Sequence, residues 1–123
     1  MNDLTTARPR VLVVEDEYLI RMLLEDMLDE LGYDMAAGVG TFAEASEHAA
    51  NGAFDAAILD VNLDGREVFP VADILAKRNL PFVFVTGYGE RDLPDPHGGR
   101  PALQKPFQVE QLKSALAALL ATA

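Results

Sequence analysis

Short runs of consecutive apolar residues alternate with stretches of helical periodicity along this chain, and no other feature restricts the fold as strongly. Five runs are predicted strands: VLVV at 11–14, a weaker run at 35–39, AAILD at 56–60, FVFVT at 82–86 and PALQ at 101–104. Strands that are apolar on successive residues are buried on both faces, which is typical of a parallel sheet with helices on either side. The sequence therefore predicts a doubly wound α/β domain.

The segments between these runs predict the helices. In the first, from about residue 17 to 31, one face is apolar at the spacing of an amphipathic helix: Ile20, Leu23, Leu24, Met27, Leu28 and Leu31. TFAE at 41–44 is a capping-box pattern that predicts a second helix beginning at Thr41 and ending near residue 51. A third should begin near Pro70, because proline is tolerated in a first turn, and a last helix should span about 109–120.

Composition excludes several classes of function. Twenty acidic residues against ten basic ones give a net charge of −10, which speaks against binding nucleic acid or an anionic membrane. Cysteine is absent, so there is no disulfide framework. The sequence contains neither an apolar leader with a cleavage site nor a run long enough to span a bilayer. We expect a single domain in the cytoplasm.

Polar residues stand where the predicted strands end. Glu15 and Asp16 follow the first strand, Asp60 closes the third, Thr86 closes the fourth and Lys105 follows the fifth. In a doubly wound sheet, ligands bind outside the carboxyl ends of the strands, so these side chains should lie close together. Three carboxylates on strands about 4.8 Å apart would repel one another. Mg²⁺, a hard cation with oxygen ligands, would relieve that repulsion.

In their order and spacing these residues resemble the receiver domains of two-component response regulators. The resemblance is carried by the acidic pair ED at 15–16, by ILDVNLDG at 58–65, by FVTG at 84–87 and by KPF at 105–107. It extends from about residue 10 to the C-terminus, which divides the chain into a tail at 1–9 and a receiver domain at 10–123. It implies a flavodoxin-like, CheY-like sheet with strand order 2-1-3-4-5.

The resemblance also implies a chemical role for each acidic residue. Asp60 would be the phosphoacceptor, and the phosphoryl donor would be a sensor histidine kinase or a histidine phosphotransfer protein. Asp16 and Glu15 would help Asp60 to hold Mg²⁺, directly or through water. The backbone carbonyl of Asn62 would complete the protein ligands of the metal.

The basic and hydroxyl residues receive roles from the same resemblance. Lys105 would bind the phosphoryl oxygens, and Thr86 would respond to their arrival. This chemistry agrees with what phosphoryl transfer requires, which is mainly positioning and neutralisation of charge. The family also implies a cis peptide bond between Lys105 and Pro106.

Two features depart from the usual receiver pattern. Ala102 stands three residues before Lys105, where most receivers have an aromatic residue whose rotamer changes on activation. The segment 87–101 is rich in proline and glycine, which predicts a shortened or irregular fourth helix. The residues FVTGYG resemble the receiver subgroup known by its FATGUY motif, in which the aromatic before the lysine is also missing. Because Ala102 has no rotamer to change and Gly87 and Gly89 give the loop freedom, we expect Tyr88 and its loop to move instead. The alternative is that Tyr88 is a packed or exposed aromatic without a switch role.

Other families fit the chain less well. DVNLDG at 60–65 matches the first half of an EF-hand calcium loop, but the twelfth position is Val71 instead of glutamate. An aspartyl-phosphate phosphatase would need a second aspartate where this chain has Asn62. A flavodoxin-like cofactor protein would need a phosphate-binding loop after the first strand, where Glu15 and Asp16 would repel phosphate.

We expect a stand-alone receiver, since the residues outside the domain are too few for an output domain. It would signal by protein interaction or act as a shuttle or sink in a phosphorelay, and it would not be an enzyme beyond slow self-phosphorylation from small donors and autodephosphorylation. The alternative is a degenerate receiver that binds a protein partner independently of phosphorylation.

Overall fold

The centre of the molecule is a parallel sheet of five strands, seen in a computed structural model that describes residues 8–87 and 102–121. Its order is β2-β1-β3-β6-β7. The strands of the sheet are β1 (Arg10–Val14), β2 (Asp34–Val39), β3 (Ala56–Asp60), β6 (Phe82–Thr86) and β7 (Ala102–Gln104). Since β6 and β7 are the predicted fourth and fifth strands, the predicted order 2-1-3-4-5 is confirmed.

Four helices connect and follow these strands within the described residues. They are α1 (Tyr18–Leu31), α2 (Phe42–Asn51), α3 (Phe69–Lys77) and α4 (Val109–Ala121), close to the predicted bounds. Gly32 ends α1 in the left-handed conformation, with φ of 95°. None of these four helices is long and apolar enough to cross a membrane. The predicted shortened helix within 87–101 lies outside the described residues.

The core consists of one apolar layer on each face of the sheet. Side chains of β1 alternate between the layers: Leu12 and Val14 join one, and Val11 and Val13 join the other. The first layer includes residues of α2 and α3, and the second includes residues of α1 and α4. Both faces are therefore covered by helices, which explains why the strands are apolar on successive residues.

One residue of the predicted apolar face of α1 is not part of the core. Leu23 is 52% exposed, whereas Leu24 and Leu28 are buried. Successive helical residues are turned by about 100° around the axis, so a line of contact through Leu24 and Leu28 leaves Leu23 at its edge. Leu23 lies beside other exposed apolar side chains, at 64%, 77% and 44% exposure: Tyr18, Leu19 and Met22.

The connection between β3 and α3 forms a small hairpin that the sequence did not predict as such. The strands β4 (Asn62–Leu63) and β5 (Arg66–Glu67) pair in antiparallel fashion around a turn at Asp64 and Gly65. Both turn residues have positive φ, 51° and 87°, as a two-residue hairpin turn requires. The hairpin therefore fixes the backbone that directly follows Asp60.

Candidate functional site

Three charged side chains from three strand ends meet at the carboxyl edge of the sheet. The Lys105 ammonium nitrogen lies 2.9 Å from Glu15 Oε1 and 3.3 Å from Asp60 Oδ2. Glu15 is 2% exposed and Asp60 is 5% exposed. Buried carboxylates need a partner of opposite charge, and here a single ammonium serves two of them.

Asp16 completes an acidic cluster with Glu15 and Asp60. One carboxylate oxygen from each of these residues lies within 4.8 Å of the others. Asp16 Oδ2 also accepts a hydrogen bond of 3.1 Å from the backbone N–H of Asp64, which joins the cluster to the turn of the hairpin. Three oxygens at this spacing fit a hard cation such as Mg²⁺.

The cluster opens into a cleft of about 490 Å³. Its lining is almost entirely polar: Asp16, Glu17, Asp60, Asn62, Asp64, Gly65, Gly87 and Lys105. Glu15 lies behind this surface with its carboxylate on Lys105. Asp60 and Lys105 therefore line the cleft, whereas Glu15 does not.

The electrostatics of the cleft perturb its central aspartate. Burial, together with repulsion from Glu15, raises the pKa of Asp60 from 3.8 to about 7, and attraction to Lys105 only partly offsets the rise. Burial acts to lower the pKa of Lys105, but its hydrogen bond and attraction to Glu15 and its attraction to Asp60 outweigh that effect and raise it. The lysine is therefore a cation at neutral pH, and the carboxyl of Asp60 titrates close to neutral pH.

Thr86 and Lys105 are held side by side by the pairing of β6 with β7. The carbonyl of Thr86 accepts a hydrogen bond of 2.8 Å from the backbone N–H of Lys105. The Thr86 hydroxyl, which is half-buried, donates to the carbonyl of Leu103 at 3.4 Å. The Lys105–Pro106 peptide bond is cis. The hydroxyl of Thr86 therefore lies beside Lys105 and is hydrogen-bonded to the edge strand β7.

Asn62 lies next to Asp60 and is exposed to the cleft. Its backbone N–H donates to Asp60 Oδ1 at 3.3 Å, and its side-chain oxygen accepts from Gly65 N–H at 2.9 Å. The assignment of its backbone carbonyl as a metal ligand stays a prediction. Tyr88, the predicted switch residue, lies outside the described residues.

Sequence reasoning missed two groups that support the acidic cluster. One is the backbone N–H of Asp64, which the hairpin aims at Asp16. Its signal was the Asp-Gly dipeptide at 64–65, which is a strong hairpin pattern. The other is the guanidinium of Arg21, which donates to the backbone carbonyl of Glu15 at 2.7 Å.

Comparison with known proteins agrees with this geometry. A family model described as the response regulator receiver domain matches residues 11–117. The transcriptional regulatory protein PdtaR of Mycobacterium tuberculosis is 39% identical over 111 residues, which cover 87% of this chain and 54% of PdtaR. The chain thus spans about half the length of this curated relative.

Solved structures show the same similarity over nearly the whole chain. The solution structure of SdrG from Sphingomonas melonis Fr1 superimposes with a TM-score of 0.81 at 46% identity, covering 92% of this chain and 97% of SdrG. A second structure, the BeF₃-activated conformation of SdrG from Pseudomonas melonis Fr1, gives a TM-score of 0.77 at 48% identity, covering 90% of this chain and 95% of SdrG.

Proposed function

Because this chain belongs to the response regulator receiver domain family of two-component signalling, we propose that Asp60 is its phosphoacceptor. The donor is the phosphohistidine of a sensor histidine kinase or of a histidine phosphotransfer protein. The observation that carries the proposal is the position of Asp60, with an ammonium 3.3 Å from one of its oxygens and two further carboxylates beside it, at the edge of an open polar cleft.

The transfer forms one bond and breaks another. A carboxylate oxygen of Asp60 attacks the phosphorus, and the bond between phosphorus and the imidazole nitrogen of the donor breaks, with its electron pair staying on the imidazole. The Lys105 ammonium, already beside Asp60, stabilises the negative charge of the phosphoryl oxygens. The chain therefore contributes mainly position and charge, which is what phosphoryl transfer requires.

The acidic cluster fits a divalent cation. Asp60 would hold Mg²⁺ together with Asp16 and Glu15, which would bind it directly or through water, and the backbone carbonyl of Asn62 would be a further ligand. When bound, Mg²⁺ neutralises charge on the phosphoryl group. The hydrogen bond from Asp64 N–H to Asp16 keeps one of these carboxylates at the cleft before any cation binds.

The conformational effect of phosphorylation would be transmitted to the edge of the sheet through Thr86. A phosphoryl group adds about −1.5 to −2 charge at neutral pH and several strong acceptor oxygens, which compete with the Leu103 carbonyl for the Thr86 hydroxyl. Loss of that bond would remove one contact between β6 and β7, which remain paired through their backbones. β7 carries Ala102 instead of an aromatic switch residue. Tyr88 is the residue that we propose as the aromatic switch. SdrG, a relative at 48% identity, has been solved in a BeF₃-activated conformation, which supports a conformational change on activation.

The output of this change is protein interaction or passage of the phosphoryl group along a phosphorelay. The net charge of −10 is unsuited to direct contact with nucleic acid. A change between two states requires only a differential affinity of a few kcal/mol for the partner.

Intact mass spectrometry tests the proposal directly. The protein is incubated with Mg²⁺ and phosphoramidate, a small phosphodonor, and is compared with Asp60→Ala. Wild type should gain the mass of one phosphoryl group, and hydroxylamine should remove it, because an acyl phosphate is labile to that nucleophile. Asp60→Ala should gain nothing.

Two results would contradict the proposal. An adduct that persists in Asp60→Ala would place the phosphoryl group elsewhere. A wild-type protein that gains no adduct from phosphoramidate or from a phosphorylated histidine phosphotransfer protein would instead be a degenerate receiver that binds its partner without phosphorylation.

A further inference from the structure

We infer that Arg21 is a positioning residue for the acidic cluster, holding the loop between β1 and α1 that presents Glu15 and Asp16. Its guanidinium Nη1 donates a hydrogen bond of 2.7 Å to the backbone carbonyl of Glu15. The inference rests on the proposed function, because it gives this loop its role in binding Mg²⁺.

Arg21 is attached to the loop at two points. Its backbone N–H donates to the carbonyl of Glu17 at 3.0 Å, which closes the first turn of α1. Its side chain then returns past that turn to the carbonyl of Glu15. That carbonyl shares a peptide plane with the N–H of Asp16, so the bond fixes the plane from which the Asp16 side chain projects.

The bond from Arg21 secures the part of Glu15 that other contacts leave free to rotate. The N–H of Glu15 donates to the carbonyl of Val39 at 3.0 Å, and its carboxylate contacts Lys105 at 2.9 Å and accepts from Glu17 N–H at 3.1 Å. These contacts hold the strand end and the side chain. The orientation of the following peptide depends on the carbonyl, which Arg21 holds.

Gly40, which follows β2, provides the space for this guanidinium. A Cβ atom at Gly40 would collide with Arg21 Nη1 and would lie 3.5 Å from the carbonyl oxygen of Glu15. The backbone of Gly40 is outside the left-handed region, so its conformation does not itself require glycine. A side chain at this position would therefore displace the guanidinium of Arg21 from the Glu15 carbonyl.

The helix itself gives Arg21 an unfavourable place. A cation in the first turn is opposed by the positive end of the helix macrodipole, and no acidic residue in the first turn of α1 compensates. Arg21 is nevertheless half-buried, with the Tyr18 ring centroid 5.6 Å from its guanidinium carbon. Its guanidinium is held there by the charge-assisted hydrogen bond to the carbonyl of Glu15, which lies outside the helix.

The experiment compares Arg21→Ala, Arg21→Lys and Gly40→Ala in the full chain. The dissociation constant for Mg²⁺ is measured by titrating MgCl₂ and following amide chemical shifts, and the rate of phosphorylation by phosphoramidate is measured by intact mass. Arg21→Ala should weaken Mg²⁺ binding roughly tenfold, the scale expected when a group that orients a metal ligand is removed. Arg21→Lys should restore part of the affinity, because an ammonium can also donate to the carbonyl.

Gly40→Ala disrupts the hydrogen bond between Arg21 and the Glu15 carbonyl in a second way. The methyl group should displace the guanidinium and weaken Mg²⁺ binding in the same direction as Arg21→Ala. In the double variant Arg21→Ala/Gly40→Ala the second substitution should have no added effect, because the methyl group then meets only the Glu15 carbonyl at ordinary contact distance. Simple additivity of the two losses would contradict the inference.

Arg78→Ala is the matched control. Arg78 also donates to backbone carbonyls, those of Ala49 and Gly52, but its contacts join α3 to the end of α2. Its loss should lower stability and leave the Mg²⁺ dissociation constant unchanged. If Arg21→Ala behaves like Arg78→Ala, or binds Mg²⁺ more tightly than wild type, Arg21 acts through folding or charge and the inference is wrong.

Failure of this inference differs from failure of the proposed function. A wild-type protein that is phosphorylated on Asp60 and binds Mg²⁺, together with an Arg21→Ala variant of equal affinity, overturns only the role of Arg21. A wild-type protein that does neither overturns both.

Discussion

The ammonium nitrogen of Lys105 lies 3.3 Å from Oδ2 of Asp60, in a pocket where Glu15 supplies a second carboxylate to the same ammonium. The three charges sum to −1 without a metal. Burial raises the pKa of Asp60 and repulsion from Glu15 adds to the rise, so the nearby ammonium of Lys105 only partly offsets it. The site is therefore prepared for an additional cation.

Replacing Lys105 by methionine should slow phosphorylation of Asp60 by phosphoramidate roughly a hundredfold, the usual effect of removing one group that stabilises charge in a transition state. The variant should also be less stable at neutral pH, because Glu15 and Asp60 lose their shared partner. The initial rate of adduct formation by intact mass and the urea midpoint measure the two effects.

Lys113→Met is the control for this substitution, since Lys113 is exposed on α4. It removes the same charge and should change neither quantity measurably. A Lys105→Met variant that is phosphorylated as fast as wild type would exclude a role for the ammonium in the transfer.

The raised pKa of Asp60 makes the stability of the metal-free protein depend on pH. The unfolded chain loses this proton near pH 3.8, and the folded chain keeps it up to about 7. Folding therefore takes up a proton between these values, and the free energy of unfolding falls as pH rises through the window. In the presence of EDTA, the free energy of unfolding at about pH 8 should be about 2 kcal/mol lower than at about pH 5. Urea titrations at the two pH values measure this difference.

Asp60→Asn should remove most of this slope, because asparagine does not titrate. Asp26→Asn, a change of the same kind at an exposed position of α1, should leave the slope intact. Mg²⁺ should restore stability at the higher pH, since it binds the ionised cluster. A slope that persists in Asp60→Asn would assign the titration to another group.

The strands and helices could be predicted because continuous apolar strands and amphipathic helices are local patterns, whereas the strand order came from the resemblance to receiver domains. The position of the strand-end residues followed from the two together: β1, β3, β6 and β7 run parallel in that order, so Asp16, Asp60 and Lys105 stand at the same edge of the sheet. No contact between distant residues had to be guessed. The topology alone brings the charged groups together.

Arg21 and Asp64 could not be predicted in the same way. Each acts through a contact between a side chain and a backbone group, Arg21 on the Glu15 carbonyl and Asp64 by its N–H on Asp16. Such contacts depend on how a side chain folds back over a turn, and residue type and spacing carry little of that information. The exposure of Leu23 was missed for a related reason, because periodicity gives the face of a helix and not the width of the surface it covers.

The cap of α2 provides a prediction about stability that is separate from the site. Thr41 Oγ1 accepts a hydrogen bond of 3.1 Å from the backbone N–H of Glu44, and the Glu44 carboxylate accepts from Thr41 Oγ1 and from Gly40 N–H. Thr41→Ala should lower the free energy of unfolding by about 1 kcal/mol, measured by urea titration. Thr41→Ser keeps the hydroxyl and should lose much less, while phosphorylation of Asp60 should be unchanged in both.

Substitution of Thr86 should separate the acceptance of the phosphoryl group by Asp60 from the structural response to that group. Thr86→Ala leaves Asp60 and Lys105 in place, so the adduct should still form, but the hydroxyl that leaves the Leu103 carbonyl is gone. The amide chemical shifts of Leu103 and Gln104 on β7 should then change far less on addition of beryllium fluoride than in wild type. Thr86→Ser should restore the change, because serine supplies the same donor.

The position of Ala102 on β7 makes this experiment decisive for the route of the signal. With no aromatic rotamer at that position, a response of β7 in Thr86→Ala as large as in wild type would mean that the phosphoryl group acts through another segment.

Tyr88→Ala tests the proposed switch residue. The variant should preserve the adduct and the response of Leu103 while abolishing phosphorylation-dependent binding of the partner. If the Leu103 chemical shifts no longer respond in Tyr88→Ala, the movement of Tyr88 precedes the change in β7.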